Sequence, residues 1–240
     1  RIEPLQLEKY HEMVQWTVKD LKGCFISEIE LAAAPQFFEG MKTSDIHKIT
    51  TKATADLISL RSPNYQYAAA RSLLMEIRKE VFGSWEPLHL SETINRNIKL
   101  GFYENVYDYY TEEELDFYSN KINHKKDLTF TYSGLTTVMD KFLVKHKGRN
   151  QMLESPQELN MLVAMMIFKK DPRRDEFITD YYNALSDFEI SLPSPIMSGV
   201  RTPKRGFASC CLIDSGDTTQ SLTSANSASA IMTTHSAGIG

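Results

Sequence analysis

The segment SPQELNMLVAMMIF at residues 155–168 constrains the fold more than any other stretch. Ser155 as cap, Pro156 at the first helical position and Glu158 three residues after the serine supply a reciprocal helix start. The helix that follows, Leu159 to Phe168, is apolar nearly all round, so it offers no face to water and must be enclosed by other elements. A chain of 240 residues, 42% of them hydrophobic, can supply that enclosure as one large domain or two smaller ones.

Helical spacing recurs before it. Leu7, Tyr10, Val14, Val18 and Leu21 predict an amphipathic helix with Gly23 as its stop. A second starts at Thr43 or Ser44 as cap and places Ile46, Ile49, Ala53, Leu57 and Leu60 on one face. A third runs from about Asn64, with Ala70, Leu74, Ile77 and Val81 inward, to Gly83. Residues 1–83 thus read as a compact helical module. Residues 84–110, with Trp85, Pro87, Tyr103, Tyr107, Tyr109 and Tyr110, read as an irregular packed connector. Thr111 and Glu114 form a capping box that opens a further helix. A last helix aligns Phe177, Tyr181, Ala184 and Phe188 before Pro193 and Pro195 forbid continuation.

The character then changes. FASCCLI at 207–213 is continuous and without alternation, as expected of a strand buried on both faces. Residues 214–217 turn, and a Ser/Thr/Ala-rich stretch with a thin stripe of Leu222, Ala225 and Met232 reads as helix up to Gly238. Strand, turn and helix form the repeating unit of an α/β barrel or sheet. The chain opens on Arg1 and closes on Gly238, Ile239 and Gly240, so both ends are expected to be cut.

Composition excludes several functions. A formal net charge of −4 gives no broad basic field for a phosphate backbone, so no direct nucleic-acid partner is expected. No apolar run has the length of a bilayer span and residues 1–20 lack a secretory signal, so the expected location is cytoplasmic, with no membrane partner. Cys24, Cys210 and Cys211 cannot build a disulfide framework, and no CxxC pair points to zinc or any other bound metal.

Five phrases carry a family resemblance: GMKTSDIH at 40–47, PNYQYAAAR at 63–71, YTEEEL at 110–115, ISLPSPIMSGVRTPKRGFASC at 190–210, and the final SAGIG. In order and spacing they resemble the large (alpha) subunit of class I ribonucleoside-diphosphate reductases, above all the bacterial and T-even-like phage forms. The resemblance covers essentially the whole chain, and the 190–210 phrase is its most specific part. It implies an ATP-cone over 1–83, where bound ATP or dATP sets overall activity, a helical domain over 84–204, and from 205 the first strand-helix unit of a ten-stranded α/β barrel.

The resemblance also implies residue roles. Cys210 would be a redox-active thiol that forms a disulfide with a cysteine outside these residues while the ribose is reduced. Two thiols deliver the two electrons such a reduction needs. Read from residues alone, Cys210 is more often a small buried hydrophobe. Cys211 faces the other way by strand alternation and reads as packing, as does Cys24. Ser194, Ser209, Ala237 and Gly238 align with substrate-contacting positions. Asp217, Thr218 and Thr219 align with the specificity site for a deoxynucleotide effector, and they fit equally a helix cap. Glu3, Gln6, Lys9, Thr43, His47 and Lys79 align with nucleotide contacts of the cone, where donors from separate helices suit a triphosphate carrying magnesium. Met75 departs from the aromatic ring that related cones place there.

The implied partners are the remainder of the large subunit, a small subunit with a diiron site and tyrosyl radical, thioredoxin or glutaredoxin, and a ribonucleoside diphosphate substrate. No Asn-x-Cys-x-Glu segment, the family's radical-bearing loop, occurs in the sequence, so these residues alone are not expected to reduce a nucleotide. An alternative from a different class is a free-standing ATP-cone module that senses nucleotides without chemistry.

Overall fold

A computed structural model describes residues 5–146, 148–149, 151–234 and 237–240. In chain order the helices are α1 (Leu7–Val18), α2 (Ile26–Ala33), α3 (Thr43–Asp56), α4 (Tyr65–Phe82), α5 (Leu90–Lys99), α6 (Glu112–Lys121) and α7 (Tyr132–Lys141). A short antiparallel ribbon, β1 (Lys145–His146) with β2 (Gln151–Met152), follows. Then come α8 (Pro156–Phe168), α9 (Arg174–Ser186), α10 (Ser194–Gly199), β3 (Cys210–Cys211), α11 (Thr219–Thr234) and β4 (Gly238–Ile239).

The enclosed helix is α8. Every residue from Pro156 to Met166 is buried. Met161, Leu162, Ala164, Met165 and Met166 face one apolar cluster, built with Leu90, Ile94 and Tyr118, while Leu159 and Val163 face a second, built with Leu74, Ile77 and Leu135. A helix between two cores needs no polar face, which is why its sequence has none. Its cap forms as expected. The Glu158 amide donates to Ser155 Oγ at 3.4 Å, and the Ser155 amide donates to Glu158 Oε2 at 2.8 Å.

Enclosure has a titration consequence. Burial pushes the Glu158 carboxyl up to about 7 from its ordinary 4.5, against the hydrogen bond from the Ser155 backbone, which favours the charged form. Between those two values the folded chain holds a proton that the unfolded chain has released. The stability Glu158 contributes therefore falls as pH rises from about 4.5 to about 7. His47 and His124, both held down to about 4 by burial, act in the opposite direction over the same range. Only a comparison of variants separates the two effects. The stability of Glu158→Gln relative to wild type should rise across this window by up to about 3 kcal/mol. A difference in unfolding free energy that stays constant with pH would contradict this.

The long helix α4 serves two cores. Tyr65 and Ala68 pack with Tyr10, Val14 and Ile29 in a cluster among α1, α2 and α4, while Ala70 to Phe82 pack with Phe130 and Leu135. Gly83 ends it at φ 73°, a left-handed conformation that favours glycine. Arg96 of α5 donates to the Val81 carbonyl at 2.6 Å and to that of Leu153 at 2.7 Å, tying the end of α4 to the approach to α8.

Four expectations change. Thr43 is the first residue of α3 and makes no side-chain cap; Lys42 occupies the cap position. The first helix ends at Val18, and Asp20 turns the chain at φ 61° before Gly23 does so at 72°. Residues 84–110 are not irregular throughout, because Leu90, Thr93, Ile94 and Asn97 bury one face of α5. Residues 207–213 do not form a strand buried on both faces: only Cys210 and Cys211 are strand, Cys210 is exposed and Leu212 is 89% exposed. Among the described residues β3 pairs only with β4, and α11 lies against β4.

Candidate functional site: a helical cleft and a thiol-bearing strand edge

A cleft of about 580 Å³ opens where α1, α3 and α4 meet. Lys9, Glu12, Met13 and Trp16 stand at i, i+3, i+4 and i+7 of α1 and so share one face. His47 enters from α3, and Met75 and Lys79, four apart on α4, complete the helical walls. Gly83, Ser84 and Trp85 close one side. The Trp16 and Trp85 rings meet edge to face at 4.2 Å, and the Arg78 guanidinium lies 4.3 Å over Trp85. Burial first, and the Lys79 charge second, depress the His47 imidazole to about 4, so it is neutral at pH 7. Its Nε2 is buried without a hydrogen-bond partner. Lys9 and Lys79 bring positive charge, and the tryptophans bring flat apolar surface.

Of the residues singled out for this region, Lys9, His47 and Lys79 converge on the cleft. Gln6, in the cap position of α1, and Thr43 are exposed and do not line it. Glu3 lies outside the described residues. Sequence reasoning missed Glu12, Trp16 and Trp85. Trp16 carried a readable signal, since it stands seven residues after Lys9.

The second region is the strand edge. β3 runs parallel to β4 in the register Cys210 with Gly238 and Cys211 with Ile239. The Gly238 amide donates to the Ser209 carbonyl at 3.2 Å, and the Gly240 amide donates to that of Cys211 at 3.0 Å. A Cβ at Gly238 would stand 3.2 Å from Cys210 Sγ and 3.4 Å from the Ser209 carbonyl oxygen. Glycine is what lets the thiol lie against the neighbouring backbone here. The adjacent Ser209 and Cys210 therefore form one patch with Gly238, which is distant in sequence, and Ala237 stands just before it.

Thr218 acts as a helix cap: its carbonyl accepts from the Leu222 amide at 2.9 Å and its Oγ1 from the Ser221 amide at 3.1 Å. Thr219 opens α11, and Asp217 precedes it, exposed. Ser194 is the exposed first residue of α10. Parallel strands joined through α11 make a strand-helix-strand unit, the kind from which α/β sheets and barrels are assembled. Among the described residues no cluster of three or more His, Cys, Asp or Glu could hold a metal ion, and no helix is long and apolar enough to cross a membrane.

Residues 128–205, which run from before α7 to beyond α10, match the family described as "Ribonucleotide reductase, all-alpha domain". Over its whole length the chain is related to alpha subunits of ribonucleoside-diphosphate reductase. It is 42% identical over 243 residues to ribonucleoside-diphosphate reductase 1 subunit alpha of Salmonella typhimurium, covering 100% of this chain and 32% of that protein. Against the Escherichia coli protein of the same name it is 41% identical, with 99% and 32% covered. Against the alpha subunit of Enterobacteria phage T4 it is 40% identical over 204 residues, 84% of this chain and 27% of the relative. The chain spans about a third of the length of the first two relatives.

Proposed function

We propose that these residues form the N-terminal part of a class I ribonucleoside-diphosphate reductase large subunit, contributing a regulatory nucleotide cleft and one wall of the active site. The observation that carries this reading is the patch of Ser209, Cys210 and Gly238. There a thiol lies against a glycine backbone within a parallel strand-helix-strand unit, on a chain related throughout to reductase alpha subunits.

In the proposed reaction Cys210 and a second cysteine elsewhere in the subunit are oxidised to a disulfide. Two electrons and two protons pass to the ribose, and its 2′-oxygen leaves as water. Ser194 and Ser209 would supply donors, and Ala237 and Gly238, whose amides already donate to the Met232 and Ser209 carbonyls, would give space for the ribonucleoside diphosphate. The partner small subunit generates the radical that starts the chemistry, and thioredoxin or glutaredoxin resets the disulfide. Asp217, Thr218 and Thr219 would meet a deoxynucleotide effector at the start of α11. The exposed Leu212, Leu222, Ile231 and Ile239 are the surface on which the rest of the barrel would pack. The setting is the cytoplasm.

In the cleft, Lys9 and Lys79 would neutralise the phosphates of ATP or dATP with their magnesium, and neutral His47 would offer a hydrogen bond at its unpartnered Nε2. This cleft also favours the second reading, a nucleotide sensor without chemistry. Two assays separate the readings. Calorimetric titration with ATP and dATP should show binding that weakens about tenfold in Lys79→Ala, the loss of one charge-assisted contact. Heat with neither ligand would remove the regulatory role. The complete subunit, mixed with its small subunit, should convert ribonucleoside diphosphates to deoxyribonucleoside diphosphates. Nucleotide binding with no reduction would leave only the sensor.

A further inference from the structure

Nine residues before β3 the chain passes through the most enclosed ionic contact among the described residues. Arg201 and Glu154 both have side chains 0% exposed and form a two-pronged pair, Nε to Oε2 at 2.7 Å and Nη2 to Oε1. The remaining donors fan outward: Nη1 to the Met197 carbonyl in α10 at 2.5 Å, and Nη2 to the Phe142 carbonyl after α7 at 2.8 Å. The carboxylate also receives the Val144 amide at 2.6 Å and the Tyr103 hydroxyl. A second contact follows on the surface, where Glu104 takes Arg205 at 2.5 Å and Lys169 at 3.0 Å while its amide donates to the Arg201 carbonyl at 2.9 Å.

These contacts hold a platform. α10 is only six residues long, yet Ser194 stands at its head and Phe207, three residues before Cys210, lies against its end, 3.4 Å from where a Cβ on Gly199 would be. Both sides of the candidate active site therefore hang on one short helix, and that helix is fixed by a rigid planar fork. Packing alone could have fixed it at lower desolvation cost.

We propose that Arg201 and Glu154, assisted by the Glu104–Arg205 contact, are positioning residues that set where the Cys210 thiol stands relative to bound substrate. This rests on the reductase reading above. Misplacing a reacting group by about 1 Å can cost on the order of 100-fold in rate. Substrate affinity is spread over many groups and depends less on one strand.

The test uses the complete large subunit with its small subunit. Arg201→Lys keeps the charge but cannot make the fork, and should lower kcat by roughly 10- to 100-fold while KM moves less than about twofold. Arg205→Ala changes a side chain that is 70% exposed, so folding is safe, and it should lower kcat about threefold. Amide exchange at Gly238, Ile213 and Gly240 in the 240-residue chain should speed up in both variants, while exchange in α8 stays as in wild type. Folded variants with wild-type kcat and wild-type exchange at the strand edge would overturn the proposal. So would loss of protection throughout the chain in both variants, which marks a purely structural role. A wild-type subunit that reduces no nucleotide would overturn the reductase reading instead, and the exchange measurement would still judge the platform.

Discussion

Cys210→Ser in the complete subunit is expected to abolish multiple turnover of ribonucleoside diphosphates with a dithiol reductant, while Cys211→Ser retains it. Serine keeps the size and hydrogen bonding of the thiol but cannot form a disulfide, so the two electrons have no source. Cys211 pairs with Ile239 on the other side of the strand, where no glycine opens space beside it. The contrast between adjacent cysteines makes the test specific, because any general damage to β3 would act on both. Equal activity of Cys210→Ser and wild type would remove the assignment.

The second large effect concerns stability. Glu154→Ala leaves Arg201 charged, fully enclosed and without its carboxylate, and should destabilise the fold by about 3–5 kcal/mol, a large share of the total stability of a typical domain. Replacing both partners by apolar residues, Glu154→Leu with Arg201→Met, should recover most of that loss, since the desolvation cost disappears along with the pair. Denaturant unfolding of the three proteins measures this. A double variant as unstable as Glu154→Ala would contradict the account. If the pair serves position rather than stability, the recovered double variant should remain as slow a catalyst as Arg201→Lys.

Where local chemistry decided the structure, the sequence was readable. Two capping boxes, at Thr111 with Glu114 and at Ser155 with Glu158, form as their residue types require, and Gly83 ends α4. The all-apolar segment 159–168 is buried because nothing on it could face water. What escaped was set by tertiary packing. α2 is eight residues long and buries only Ile29 and Ala33, too few for a periodic signal. In α5 the buried face includes the polar residues Thr93 and Asn97, and the burial of Asn97 depends on a distant partner, the Leu153 carbonyl.

The candidate sites divide in the same way. Lys9, His47 and Lys79 were legible only through family phrases, because each alone reads as a surface residue. Trp85 sits in a stretch whose aromatic residues conceal which one turns back to the cleft. The 207–213 run reads as a doubly covered strand from its composition, but composition does not say which elements lie against it. The buried apolar clusters are built from residues before Phe207 and include none of this run.

The central claim, that Cys210 is one half of a redox pair, is tested most directly by mass spectrometric mapping of disulfides after a single turnover of the complete subunit without added reductant. The account predicts Cys210 joined to a cysteine outside these 240 residues, in an amount equal to the deoxynucleotide formed, with Cys211 and Cys24 still free thiols. Product formed while Cys210 remains a free thiol would contradict it.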